Sequence, residues 1–188
     1  MKKILGLIAV LIFIASVNLS AQDKQDYKND PGYVDFGNLS EFLKSDNVTE
    51  VNIEGYLLKM VGNATRENDP ELSKLLNGLK LIKVYSFNVK AKNHKEVLDK
   101  ITQMDNRLDS DNWNRIVKVK SPDENTSIYI KTTGDQSSIL GLVVTSLDDN
   151  GEAAFVNIVG KINLDAISKL GSKFNIPTLD SIKSKGTD

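Results

Sequence analysis

Apolar and polar residues alternate along some stretches of this chain and recur at helical spacing along others, and the switches between the two periods mark its elements. Residues 4–17 follow neither period. They are continuously apolar, come after the basic pair Lys2-Lys3, and give way through Asn18-Leu19-Ser20-Ala21 to the polar Gln22-Asp23-Lys24-Gln25. A basic start, a short greasy core and small residues before a polar stretch form an export signal, with cleavage expected after Ala21. The run has 14 residues, where a membrane span needs ~20. Retention as an N-terminal anchor is the alternative, since Leu19 and Ala21 prolong the apolar character.

Residues 22–37 lack a period, are polar and carry Asp30-Pro31-Gly32, so a mobile leader is expected, its end docked by Tyr33, Val34 and Phe36. Asn38 caps a short helix over 39–44 that buries Leu39, Phe42 and Leu43. Alternation over 48–54 sets Val51 and Ile53 against Asn52 and Glu54, a strand that Gly55 ends. Tyr56, Leu57, Met60, Val61 and Ala64 then recur at helical spacing. A second helix opens at Asp69-Pro70-Glu71, with Asp as cap and Pro at the first helical position, and Gly78 stops it. Residues 81–89 form a strand apolar on both faces, which suits an interior place covered on both sides. Asn93 and Glu96 have the spacing of a capping box, and Val97, Leu98, Ile101, Met104 and Leu108 line the helix that follows.

From Trp113 onward four extended segments, 116–120, 127–132, 139–147 and 153–159, are separated by turn clusters, the last containing the hairpin signal Asn150-Gly151. They predict an antiparallel meander. A final helix over 164–170, capped by Asn163 and stopped by Gly171, precedes a polar tail over 172–188. The expected fold is α+β: a two-layer sandwich with a largely antiparallel sheet, a C-terminal four-strand meander and helices packed on one face. Residues 38–171 make one domain.

Composition narrows the chemistry. Two of the 24 basic residues leave with the signal and 25 acidic ones stay, so the exported chain carries a net charge near −3 and nucleic acid is not an expected partner. With no cysteine, thiol nucleophiles, redox pairs, iron–sulfur ligation and zinc ribbons fall away. The single histidine, His94, sits at a helix start without a nucleophile or carboxylate placed beside it by sequence. Asp105, Asp109 and Asp111 recur with Asn106, Asn112 and Asn114, but Trp113 and Asn114 stand where a calcium loop needs other residues. No Gly-x-Ser-x-Gly or phosphate-binding loop is present, so no catalytic residue, metal ligand or cofactor is assigned. The aromatic set Tyr56, Tyr85, Phe87 and Phe155 reads first as core. Its alternative is an apolar ligand pocket between sheet and helices, lined by Tyr56, Leu58, Tyr85 and Phe87.

The stretches Asp30-Pro31-Gly32-Tyr33-Val34-Asp35-Phe36, Gly55-Tyr56-Leu57-Leu58-Lys59-Met60-Val61 and Leu81-Ile82-Lys83-Val84-Tyr85, with Phe155-Val156-Asn157-Ile158-Val159-Gly160-Lys161-Ile162, resemble an exported family of Bacteroidota catalogued as domain of unknown function 4252. The resemblance runs from about Pro31 to Leu170. It implies a protein of a Gram-negative envelope, in the periplasm or at the outer-membrane periphery, with no assigned activity. Some members are lipoproteins, and this chain lacks the cysteine that would carry the lipid. Genes of such proteins often lie near sigma factors, which implies a role in envelope stress. The expectation is a non-enzymatic module that binds an envelope protein or surface component, with no stable membrane span once the signal is removed. A binder of an apolar small molecule or lipid is the alternative.

Overall fold

Among the described residues, six strands, β1 (Val48–Glu54), β2 (Leu79–Asn88), β3 (Asn114–Lys120), β4 (Glu124–Thr132), β5 (Ile139–Asp148) and β6 (Glu152–Ile162), form a single antiparallel sheet in the order β1-β2-β6-β5-β4-β3. This computed structural model describes residues 27–44 and 47–162. The expected signal, the final helix over 164–170 and the tail lie outside the described residues. Among the described residues, three helices join the strands: α1 (Gly55–Thr65), α2 (Pro70–Gly78) and α3 (His94–Ser110). The fold is therefore α+β, and β3 to β6 are the predicted meander.

Local chemistry accounts for the boundaries. The Asp69 carboxylate accepts the Leu72 amide at 3.0 Å, capping α2 ahead of Pro70. The β5–β6 turn closes through the Gly151 amide to the Asp148 carbonyl, with Gly151 at φ +82°, a value that favours glycine. The capping box at Asn93 does not form. Asn93 makes no side-chain cap bond, and the chain enters α3 through a 3₁₀ turn at Ala91–Asn93 instead. Likewise residues 39–44 shrink to a 3₁₀ turn at Phe42–Lys44, with Asn38 accepting the Ser40 amide.

The helices do not share one face, as the sequence reading expected; they cover both. Strand side chains alternate in direction, and here both directions are apolar. Ile82, Val84, Ile128, Leu142, Val144, Val156 and Ile158 point to one side, where Leu58 of α1 and Leu72, Leu75 and Leu76 of α2 meet them. Phe87, Tyr129, Val143, Leu147, Ala153 and Phe155 point to the other, where Val97, Ile101, Met104 and Leu108 of α3 cover them. A sheet with two apolar faces needs two covers, so the two-layer arrangement gives way to helices on either side.

The second cover is shared with the N-terminal segment. Val34, Phe36, Leu39 and Phe42 are buried beside α3. Asp30 pairs with Lys80 and accepts the Gly32 amide. From Asp30 onward the end of the expected leader lies packed on the sheet, with Val34 and Phe36 docking it. Gly32 sits so close to β5 that a Cβ there would meet the Leu140 carbonyl oxygen at 2.0 Å, and one at Gly141 would meet the Gly32 Cα at 2.6 Å.

Candidate functional site

Helix α1 follows β1 without a linker and packs against α2 and the β1–β2 end of the sheet. Its inward face is narrow. Leu58 enters the core, and Gly62 lies against α2, where a Cβ would stand 3.2 Å from that of Leu76. Glycine at this position lets the two helices approach closely. The outward face carries the apolar residues that recur at helical spacing in the sequence: Tyr56 is 50 % exposed, Leu57 37 %, Met60 64 % and Val61 45 %. Spaced at i, i+1, i+4 and i+5, they occupy one side of two helical turns. Single exposed apolar residues are ordinary, but four large ones on consecutive turns of a short helix form a patch of the kind that marks an interaction site.

Beside the helix, β1 is the edge of the sheet. Val48, Thr49, Glu50 and Asn52 are exposed, and the strand pairs with β2 in an uninterrupted register from Val48 opposite Phe87 to Glu54 opposite Leu81. The opposite edge, β3, is built differently. Its pairing with β4 shifts between Arg115 and Val117, leaving Ile116 at a bulge, and it carries Arg115, Lys118 and Lys120.

The four residues assigned to an apolar pocket are not brought together. Tyr56 points to solvent from α1, and Leu58, two residues on, is in the core on the same side of the sheet. Tyr85 and Phe87 project from β2 to the opposite side, beneath α3 and the N-terminal segment. Tyr85 and Phe87 alternate with Ile82 and Val84, which face α1, so the sheet itself separates the two pairs. Tyr85, Phe87 and Phe155 instead join Phe36 and Phe42 in a ring cluster, with Phe42 stacked on Phe87 at 5.4 Å and Phe36 edge-on to Phe155 at 5.6 Å. An open groove of about 240 Å³ lies next to this cluster, between Phe36 and Phe155 below and Lys100, Gln103, Met104 and Arg107 of α3. Arg107 there donates to the Asp35 carbonyl at 2.6 Å and so ties α3 to the N-terminal segment.

The acidic residues near the end of α3 are used within the fold. Asp105 is buried and pairs with Lys118 at 2.7 Å, and both contact the Ser127 hydroxyl, at 3.1 and 2.9 Å. Asp109 stands 3.6 Å from Arg115. Among the described residues, no three His, Cys, Asp or Glu side chains cluster to hold a metal ion. Burial, and next the Asp105 carboxylate, push the Tyr129 hydroxyl far above its ordinary range. His94 is half-buried at the start of α3. Trp113 is buried against Gly141 just before β3.

Residues 40–170 match the family model described as Domain of unknown function (DUF4252). The chain belongs to this family. No curated protein and no solved structure matches it. The matched region contains the α1 face, the β1 edge and the whole sheet of this DUF4252 chain. Among its described residues, no helix is long and apolar enough to cross a membrane.

Proposed function

We propose that this protein is an exported, non-enzymatic module of the cell envelope that binds another protein through the outward face of α1. The observation that carries the reading is the exposed set Tyr56, Leu57, Met60 and Val61. Leaving four large apolar side chains partly in water forgoes a share of the about 1.5–3 kcal/mol that full burial of such a side chain gives, a cost that a partner surface recovers. Aromatic and methionine side chains are also the types favoured at interface centres. The export signal at residues 1–21 supports the envelope address. The alternative, an apolar ligand between sheet and helices, loses its support because Leu58 and Phe87 fill cores on opposite sides of the sheet.

The test is a photo-crosslinking residue at Met60, with the same residue at the exposed Asp99 of α3 as control, in the full chain expressed in its own host. The expected result is a discrete protein adduct in the envelope fraction from Met60 that Asp99 does not give and that Val61→Glu removes. A Met60 pattern no different from that of Asp99 overturns the reading, as does a chain retained in the cytoplasm.

A further inference from the structure

The two edges of the sheet differ in a way that names the partner. Exposed edges are normally blunted by lysines, inward-pointing charges or bulges, because a bare row of backbone N–H and C=O groups templates pairing with another chain. Strand β3 has all three. It is basic, it is bulged at Ile116, and Lys118 turns inward to the buried Asp105. Strand β1 has neither lysine nor bulge, and its one half-buried charge, Glu54, stands at its last residue beside Tyr27. Its sequence Val-Thr-Glu-Val-Asn-Ile-Glu contains no Lys, Arg or Pro, and its register with β2 is unbroken over all 7 residues.

From this asymmetry, and resting on the reading of α1 as an interaction face, we propose that the partner is a second copy of this chain, joined by antiparallel β1–β1 pairing about a two-fold axis at Val51. The charges of β1 select this register. A two-fold normal to the sheet pairs only residues that point to the same side, so the centre must fall on a residue. Centring on Glu50 opposes it to the Glu50 of the second copy. Centring on Asn52 opposes Glu50 to Glu54 twice, and like charges directly opposite destabilise a pair. Centring on Val51 overlaps the whole strand and opposes no two carboxylates: Val48 meets Glu54, Thr49 meets Ile53, Glu50 meets Asn52 and Val51 meets Val51. The register of greatest overlap is also the one free of charge conflict. Thr49, Val51 and Ile53 share the side of the sheet covered by α1. The same two-fold therefore brings both α1 helices to one side of the joined sheet, each beside the seam, where their exposed apolar faces share a cover. The contact is isologous and closes at two copies, so it consumes both β1 edges and leaves only the guarded β3 edges open.

A charge exchange on exposed positions tests pairing and register together. In Asn52→Glu the new carboxylate opposes Glu50 of the second copy at both ends of the seam. In Glu50→Lys combined with Asn52→Glu those contacts become opposite-charge pairs. Sedimentation equilibrium of the full chain is expected to give a dimer for the native sequence, self-association weaker by about tenfold for Asn52→Glu, and recovery in the double variant. Circular dichroism should be the same for all three, since both side chains are exposed and lie outside the core. A native chain that stays monomeric at about 100 µM, or a dimer indifferent to Asn52→Glu, overturns the proposal. If Met60 then still crosslinks to a different protein, the interaction reading stands while self-pairing fails; if Met60 crosslinks to nothing, both fail.

Discussion

The Asn157 side chain accepts the Val34 amide at 2.9 Å and donates to the Gly32 carbonyl at 3.0 Å, so one buried amide on β6 makes two of the bonds an added strand would make. It also donates to the Leu142 carbonyl at 3.2 Å, which satisfies both of its N–H groups. Asn157→Ala leaves a buried donor and a buried acceptor of the N-terminal segment without partners. The expected cost is about 2–4 kcal/mol in chemical denaturation, with hydrogen exchange at residues 30–36 rising first. Asn157→Asp should be at least as damaging, because the carboxylate keeps the Val34 bond but cannot donate to either carbonyl.

Two glycines permit the same docking. A Cβ at Gly141 would lie 2.6 Å from the Gly32 Cα and 2.7 Å from Cη2 of Trp113, so Gly141→Ala must push either the segment or the indole away. A loss of about 1–3 kcal/mol is expected, typical of overpacking. Trp113 is the only tryptophan, so its emission reports the displacement directly and should shift to the red. Gly32→Ala disturbs the same contact, and the double variant should cost less than the two separate losses together.

These contacts show where sequence legibility ended. Local signals placed the elements well: alternation located Val48–Glu54, Asp69-Pro70 opened α2, and Asn-Gly turned β5 into β6. What could not be read was which face meets which partner. The bond from Asn157 to Val34 spans 123 positions, and neither residue carries a local sign of it. On α1, helical spacing correctly grouped Tyr56, Leu57, Met60 and Val61 on one face, but a period does not say whether that face is covered. Burial instead follows Leu58 and Gly62, because α2 packs where glycine allows close approach. The same limit explains the layer count. Both faces of residues 81–89 were legible as apolar, yet only the path of α3 shows what covers the second one.

Asp135 predicts an acid dependence confined to one turn. Its carboxylate accepts from the Thr133 hydroxyl, and from the Ser137 amide and hydroxyl at 3.1 and 2.9 Å, which holds its pKa down from the ordinary 3.8 to about 2. A carboxyl depressed in the folded chain stabilises it above the unfolded value and loses that contribution as the pH falls through the folded one. The turn between β4 and β5 should therefore hold at pH 5 and loosen between about pH 4 and 2. NMR titration of the Asp135 side chain checks this, and a midpoint near 4 would contradict it. Asp135→Asn should remove the acid dependence of the turn.

The Asp105–Lys118 pair predicts an asymmetry between breaking and replacing a buried contact. The carboxylate is buried at the foot of α3, and the ammonium reaches it from β3 while also touching Asn125 at 3.0 Å. Lys118→Met leaves Asp105 charged, buried and facing only the Ser127 hydroxyl, which should cost about 3 kcal/mol or more. Replacing both, Asp105→Leu with Lys118→Met, removes the charge together with its partner and should cost far less than the two single changes combined. Tyr129, on the same side of the sheet, supplies the contrast. Its buried hydroxyl makes no hydrogen bond within 3.5 Å among the described residues, the Asp109 carboxylate acting on it only at longer range, so Tyr129→Phe discards a desolvated group and keeps the ring beside Arg115. That change should leave stability within about 1 kcal/mol of the native chain or raise it. A Lys118→Met loss no larger than the change at Tyr129 would mean that the ion pair carries little of the α3 packing.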